Sequence, residues 1–236
     1  MPILNTLYQR SFQISDGITI FVPTVGQVLE DEENYMSILS VLTGHPSDFM
    51  VPLDDIGIDF SEITDFDLFL TMFSGLIIRD TSLIFGDLDL SGFTPLLDTS
   101  TNKPVLYNQD TGATIDRAVH AKIAATLRRI HHLNNKPIIP GNDEAKRYLL
   151  ERTRKKMLRK RGRTENSELE SLIVSLVNTE QYKYNYETTL NLSILQFYES
   201  VYQIIKKDAY DKRMIGVYAG TVDTKEMKPE DLNWLA

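Results

Sequence analysis

The sequence predicts an α+β fold that is mainly helical, with an N-terminal β-hairpin and short strands followed by a C-terminal helical part. Two observations lead to this prediction: apolar residues alternate around an Asp-Gly pair near the start, and they recur at helical spacing over much of the remainder. The chain has 236 residues, 42% of them hydrophobic, so it can bury a core without covalent staples. It contains no Cys, which excludes disulfides, thiolate nucleophiles and Cys-based zinc sites.

The predicted strands lie in the first half of the chain. A hairpin is expected over residues 11–22, because the turn pair Asp16-Gly17 is flanked by alternating apolar residues. Residues 76–90 are expected to be extended, and a second short hairpin is expected to include residues 105–107. The alternating residues of the first hairpin are Phe12, Ile14, Ile18, Ile20 and Val22.

Three helices are predicted in the same half. The first opens on the acidic residues 30–33, which suit a helix N-terminus, and ends at Gly44. The second is expected over residues 64–74 and is stopped by Gly75. The third is expected to be capped by Thr114 and to bury a regularly spaced apolar face.

The organisation of the chain is predicted as three segments: an α+β domain over residues 1–135, a basic helical connector over 136–164 and a helical domain over 165–236. The candidate boundary is the stretch 134–141, which is rich in Asn, Pro and Gly and lies before the basic residues of the connector. Two capping-box patterns, at Ser167 and Ser193, open the helices of the last segment. The second of these helices is expected to bury Ile194, Phe197, Tyr198, Val201, Ile204 and Ile205.

Charge is concentrated in the connector. Residues 146–163 hold ten bases and one acid, although the whole chain has a net charge of -8. One interpretation is a phosphate- or nucleic-acid-binding segment. The other is a solvated helix that is basic because the rest of the chain is acidic. Against nucleic-acid binding, Tyr148 is the single aromatic residue of the segment that could stack on a base.

One pattern has the spacing of an EF-hand calcium loop. Asp87, Asp89, Ser91 and Asp98 occupy ligand positions, and Gly92 occupies the position of the invariant turn glycine. The residues before the loop are strand-like, and the last ligand is Asp where Glu is usual. The competing interpretation is an Asp/Ser/Gly turn that leaves a strand.

Nothing else in the sequence predicts catalysis or a cofactor. His131 and His132 are adjacent and are expected at an exposed helix end, where they cannot converge on one metal. The sequence contains no nucleophile elbow and no glycine-rich phosphate loop. It has no apolar run long enough for a membrane span and no signal peptide pattern. We therefore expect a non-enzymatic protein without cofactors. The absence of Cys suits a reducing cytoplasm.

Two sets of residues are candidates for partner binding. The first is the cationic set in the connector, and the second is aromatic and lies near the C-terminus, since Tyr and Trp are enriched at interface hot spots. Packing into a small helical core is the alternative for the aromatic set. The candidates are Arg154, Lys155, Lys156, Arg159, Lys160, Arg161, Phe197, Tyr198, Tyr202 and Trp234.

The order of several segments resembles proteins encoded among the tail genes of phages and prophages of Gram-positive bacteria. The segments are ISDGITIFVPTVGQVLE, YMSILSVLTGHPSDF, DIGIDFSEITDFDLFL, SLIFGDLDL, VNTEQYKYNYETTLNLSILQFYESV and GVYAGTVDTKEMKPEDLNWLA. They cover roughly half the chain from both ends and leave the basic middle unmatched. The resemblance implies a tail assembly chaperone or a baseplate or hub assembly protein, without catalytic residues.

The resemblance also implies partners and a location. A chaperone of this kind would bind the tape-measure or tail-tube protein in the cytoplasm of the host bacterium during phage assembly. A structural tail or baseplate subunit, present in the virion tail, is the first alternative. A nucleic-acid-binding protein that uses residues 146–163 is the second, and the oligomeric state is left open.

Overall fold

The computed structural model describes residues 6–134, 136–160, 167–223, 225, 227–228 and 233–234. In this part of the chain the fold is α+β and mainly helical, as predicted. The helices are α1 (Val25–Glu30), α2 (Glu32–Thr43), α3 (Met50–Asp55), α4 (Asp65–Leu76), α5 (Ser82–Phe85), α6 (Arg117–Ile130), α7 (Asp143–Lys160), α8 (Glu168–Val177), α9 (Tyr186–Leu190) and α10 (Ile194–Tyr218). The strands are β1 (Ser11–Ser15), β2 (Ile18–Phe21), β3 (Phe93–Leu97), β4 (Pro104–Asn108) and β5 (Thr114–Ile115).

The first hairpin is confirmed. Strands β1 and β2 are antiparallel, and Phe12 lies opposite Ile20. The turn needs Gly17, whose φ of +74° is in the left-handed region. Ile18 and Ile20 are fully buried on the inner face of β2, so the alternation in the sequence places one face of the hairpin on the core.

The extended structure expected over residues 76–90 is wrong. Leu76 is the last residue of α4, and Ser82–Phe85 forms the short helix α5, which ends at Gly86 with a φ of +62°. Ile84 and Phe85 are buried, as either a strand or a helix would require. A short apolar run cannot distinguish the two by periodicity, which explains the error.

The second sheet contains the predicted second hairpin and one strand that was not predicted. Its order is β3-β4-β5, and both pairs are antiparallel. The expected cap of α6 is wrong, because Thr114 pairs with Tyr107 as part of β5. Asp116 caps the helix instead: its Oδ1 accepts a hydrogen bond of 2.7 Å from the backbone N–H of Val119.

The predicted ends of the other two helices in the first half differ in accuracy. Helix α2 carries its two first-turn acids and ends with Gly44 as its C-cap, as expected. Thr64 caps α4 in a capping box with Asp67, but the helix runs through Gly75 to Leu76. A glycine inside a helix costs some stability but does not by itself end the helix.

The main hydrophobic core draws on both ends of the chain. It combines Ile18, Phe69 and Ile123 with Phe197 and Ile173 from the C-terminal helices. The predicted N-terminal and C-terminal segments therefore share one core, and the segment boundaries stay a prediction. Among the helices in the described part of the chain, none is long and apolar enough to cross a membrane.

A second, smaller core lies beside α3. It consists of the buried residues Met50, Val51, Leu53, Phe60 and Leu68. Helix α7 packs over it and contributes only the half-buried Leu149 and Leu150.

Candidate protein-binding surfaces

The inner face of α7 is bound to carboxylates of the same chain. Arg154 Nη2 lies 2.6 Å from a carboxylate oxygen of Asp54 and 2.6 Å from one of Asp55, at the end of α3. Lys146 Nζ lies 2.6 Å from Asp59 Oδ2. This hydrogen bond, together with those from Ser61, lowers the pKa of Asp59 to about 2. Arg154, predicted to bind a partner, is thus engaged within the chain.

Apolar and weakly polar contacts complete the docking of α7. Leu149 and Leu150 pack against the second core, and Thr153 Oγ1 donates to Met50 Sδ over 3.5 Å. No side chain of α7 is buried, however. The helix therefore lies on the surface of the protein and is held along one face only.

The outer face of α7 is an exposed cationic stripe. Tyr148, Arg152, Lys155 and Arg159 recur at i, i+4, i+7 and i+11, which places them on one side of the helix, opposite Leu149, Leu150 and Thr153. All four are exposed. The predicted partner residues Lys156 and Lys160 are exposed as well, whereas Arg161 lies outside the described residues.

The base of α10 is anchored in the N-terminal part of the fold. Ser193 caps it in a capping box with Gln196, as predicted. Backbone bonds flank this cap: Val25 N–H donates to the carbonyl of Leu192 over 2.9 Å, and Ile194 N–H donates to that of Pro23 over 2.8 Å. Because backbone bonds and core packing coincide here, the start of α10 has a fixed direction.

A histidine junction, formed by His131 and His132 at the end of α6, adds to this anchor. His131 is buried, and its Nε2 lies 2.9 Å from the hydroxyl of Tyr35. Its ring centroid is 5.5 Å from that of Tyr198 on α10. Burial, with a smaller contribution from the charge of His132, lowers the pKa of His131 to about 3.

His132 contacts the next turn of α10. Its ring stacks on Tyr202 with centroids 5.1 Å apart, and its Nε2 lies 3.2 Å from Glu199 Oε1. The expectation that both histidines occupy an exposed helix end is therefore wrong: His131 is buried and His132 is half-buried. The reason is that α10 and α2 cover the end of α6.

A third histidine is also enclosed. His120 lies against Phe69, with stacked rings 4.5 Å apart, and near Phe66 at 5.7 Å. Burial lowers the pKa of His120 to about 4; the negative charge of Asp65 opposes this shift. Its role is structural, since it fills the space between α4 and α6 as a neutral aromatic ring.

The predicted aromatic set divides between the core and the surface. Phe197 is fully buried, so its assignment to a partner surface is corrected: it is a core residue. Tyr198 is half-buried and packs against the same core. Tyr202 is exposed on one side, and Trp234 is half-buried, with Lys207 Nζ 5.5 Å from its ring centroid.

Beyond its base, α10 forms an arm, defined as residues 202–218. The four buried residues of the helix all lie within its first eight positions. The arm is about 25 Å long at 1.5 Å per residue. Two apolar residues on one face of the arm are exposed to solvent: Ile215 is 67% exposed and Tyr218 is 84% exposed. The burial predicted for this helix is wrong at the last two positions of the predicted set: Ile205 is 62% exposed, and Ile204 is only half-buried.

The EF-hand residues do not form a metal site. The carboxylate of Asp89 accepts hydrogen bonds from Ser91 N–H at 2.8 Å and from its hydroxyl at 2.7 Å, so a turn is present, but it follows helix α5 and leads into β3 instead of leaving a strand. Asp98 accepts from Ser100 and Thr101 beyond β3. A five-residue strand of roughly 16 Å thus separates it from Ser91. Asp87 is exposed, and the described residues contain no group of three or more His, Asp or Glu placed to hold a metal.

A comparison with known proteins bears on the C-terminal region. Residues 160–236 are similar to a family model described as the YomV second domain, which is phage-derived. The matched region is about a third of the chain; it begins at the last residue of α7 and includes α8, α9 and α10. No curated protein and no solved structure matches the chain.

Proposed function

We propose that this protein is a non-enzymatic phage tail morphogenesis protein that acts by protein–protein binding. Its most specific role in this proposal is that of a tail assembly chaperone, which holds a helical region of the tape-measure or tail-tube protein. The phage-derived match over residues 160–236 supports the phage context. The single observation that carries the binding role is the arm of α10, which is anchored at its base and uncovered along one face.

The arm has the residue spacing that helix pairing requires. Asp208, Asp211, Ile215 and Tyr218 follow one another at steps of three, four and three residues, which forms a stripe along one side; the half-buried Ile204 lies in line with it and packs against the main core. Packing of such stripes is how two helices bury apolar side chains against each other. An exposed tyrosine at the end of the stripe suits a hot spot, because it adds large contact area at low entropy cost.

The anchor at the base contributes to affinity. A helix that is already formed and fixed in direction loses little conformational freedom when it binds. The buried residues of the first two turns and the histidine junction supply that order. Binding of a long partner helix to the arm therefore costs less conformational entropy than binding to an unstructured segment.

The two aspartates in the stripe set the chemistry of the partner. Asp208 and Asp211 each form an ion pair with a lysine on the arm itself, Lys212 and Lys207 respectively. A partner helix that presents a cation near these two carboxylates would add to the existing ion pairs, whereas an acidic partner helix would be repelled by them.

The test is recovery of tail proteins from phage-induced cells. We expect tagged wild-type protein to recover the tape-measure or tail-tube protein, and the double variant Ile215→Asp/Tyr218→Asp to lose it. The matched control is Ile78→Asp/Leu97→Asp, since these residues are 84% and 63% exposed but lie outside the arm. Equal recovery by the arm variant and the wild type would contradict the proposal, as would recovery of neither tail protein.

A chaperone role also predicts where the protein is found. It would act in the host bacterial cytoplasm and be absent from the finished particle, whereas a structural tail or baseplate subunit would stay in the virion tail. Mass spectrometry of purified virions distinguishes the two: stoichiometric amounts of the protein would replace the chaperone role with a structural one.

The outer stripe of α7 favours a second candidate, nucleic-acid binding through the region 146–163. Arg152, Lys155 and Arg159 project from one exposed face, where they could neutralise successive phosphates. Binding of duplex or single-stranded DNA should then fall steeply with salt. It should also weaken when all three residues are changed to Gln. Undetectable or salt-insensitive binding would exclude this candidate.

A further inference from the structure

We infer that the surface beneath α7 is a helix-binding groove and that α7 is an occupant which a cationic amphipathic helix of another protein displaces. We name this surface the α3 groove. Its floor is the second core, and its rim is acidic. The inference stands apart from the proposed function, because it concerns neither the arm of α10 nor its partner. The floor residues are Met50, Val51, Leu53, Phe60 and Leu68, and the rim residues are Asp54, Asp55 and Asp59.

The bound helix shows what the groove recognises. Lys146 and Arg154 are eight residues apart, about 12 Å along the helix, and each reaches a carboxylate of the rim. Leu149 and Leu150 lie between them over the apolar floor. The pattern is thus a cation, then two leucines three and four residues later, then a second cation four residues further. Amphipathic helices bind grooves through such regularly spaced anchors.

The contacts of α7 with the α3 groove are weak enough for another helix to replace it. No side chain of the helix is buried, and its two leucines are only partly covered. Arg154, Asp54 and Asp55 are each more than a third exposed, so solvent screens their attraction. Segments with few buried apolar contacts open most readily in a native protein.

The chemistry of the groove selects a protein helix over other occupants. The carboxylates of the rim would repel a phosphate backbone, which excludes nucleic acid from this face. The apolar floor requires leucine-like side chains, which an extended polycation does not supply on one face. A second copy of the chain carries α7 itself, and an exchange of α7 between two copies is the competing outcome.

Tethering sets the concentration that a competitor must overcome. Because α7 belongs to the same chain, its effective concentration at the groove is of millimolar order. A free peptide therefore binds weakly while α7 is docked and more tightly once α7 is weakened. This difference is what distinguishes a displaceable occupant from a structural helix.

The experiment uses the full chain and a fluorescent peptide of residues 143–160. In the full-chain variant Lys146→Glu/Arg154→Glu, α7 loses its anchors while the groove is unchanged. We expect the peptide to bind this variant at least about tenfold more tightly than the wild type, because the tethered competitor is weakened. Equal affinity for both proteins, or no binding to either, would overturn the inference.

Two controls define the site. The peptide with Leu149→Asp and Leu150→Asp should not bind the charge-reversed protein, and binding should also be lost from a protein that additionally carries Asp54→Ala and Asp55→Ala. Circular dichroism checks that each protein is folded. Peptide binding that survives the rim variant would contradict the groove. A wild-type dimer that disappears with Lys146→Glu/Arg154→Glu would assign the groove to a second copy and overturn the proposed occupant.

Discussion

Helix α7 and the base of α10 are both attached to the N-terminal part of the fold, but by different forces. Helix α7 is held by ion pairs and two half-buried leucines, and none of its side chains is buried. The base of α10 is held by buried residues, backbone hydrogen bonds and the histidine junction. The first attachment is screened by salt, and the second depends on the buried, neutral imidazole ring of His131.

The two kinds of attachment suit the two helices to different roles. A buried base gives the arm of α10 a fixed direction, which favours binding because the arm is ordered beforehand. A screened attachment lets α7 leave its groove at modest cost, which favours exchange. The chain thus contains one helix suited to presentation and one suited to displacement.

The largest expected effect on stability comes from a substitution in the buried base of α10. Phe197→Ala removes a fully buried ring at the base of α10, and we expect it to lower the free energy of unfolding by about 3–5 kcal/mol. Urea denaturation measures this. A loss below about 1 kcal/mol would show that the base of α10 is not part of the cooperative core.

Acid should weaken the fold through two buried histidines: His131, at the base of α10, and His120, between α4 and α6. The unfolded chain binds protons on His120 and His131 near pH 6.5, whereas burial keeps both neutral in the fold down to about pH 4 and about pH 3. Stability therefore falls as pH drops below 6.5. At pH 5 each histidine should cost about 2 kcal/mol. Denaturation at pH 7 and pH 5 tests this, and His131→Gln should remove its share of the pH dependence.

A pH dependence that is unchanged in His131→Gln would contradict the buried neutral state of this histidine. The comparison needs matched ionic strength, because exposed ion pairs such as Lys212–Asp208 and Arg154–Asp54 respond to salt as well.

The ion pairs of α7 should respond to salt and to charge reversal. In 1 M NaCl, or in Lys146→Glu/Arg154→Glu, we expect faster amide hydrogen exchange throughout α7 and unchanged exchange at residues 194–201. Debye screening at this salt concentration reaches about 3 Å, which weakens exposed pairs first. Equal acceleration in both regions would remove the distinction between the two attachments.

The smallest expected effect on stability lies in the arm. Tyr218→Ala and Ile215→Ser remove exposed side chains, so the free energy of unfolding should change by less than about 0.5 kcal/mol. Thermal denaturation checks this. A larger loss would mean that these side chains pack within the protein and are not available to a partner.

Local signals in the sequence predicted several elements correctly. The alternation around Gly17 identified the first hairpin, and the capping box at Ser193 identified the start of α10. In each case the deciding interactions lie within a few residues along the chain. The apolar run at residues 83–85 failed as a guide, because a run that short fits a strand or a helical turn equally.

Long-range contacts explain what sequence reasoning missed at the candidate surfaces. His131 is buried by Tyr35, which is 96 residues away, and Arg154 binds Asp54, which is 100 residues away. The residues next to His131 and Arg154 in the sequence do not indicate these partners. One signal was available: Lys146, Leu150 and Arg154 share one side of a helix, which indicates a docked face.

Site-specific photo-crosslinking from position 215 in phage-induced cells tests most directly whether the arm of α10 is the binding surface. A photoreactive residue at 215 should crosslink to a helical segment of the tape-measure or tail-tube protein, while one at position 78, which is more exposed than 215, should not. Mass spectrometry identifies the linked peptide. Crosslinks that are the same from both positions, or none from position 215 while the tail proteins are present, would contradict the account.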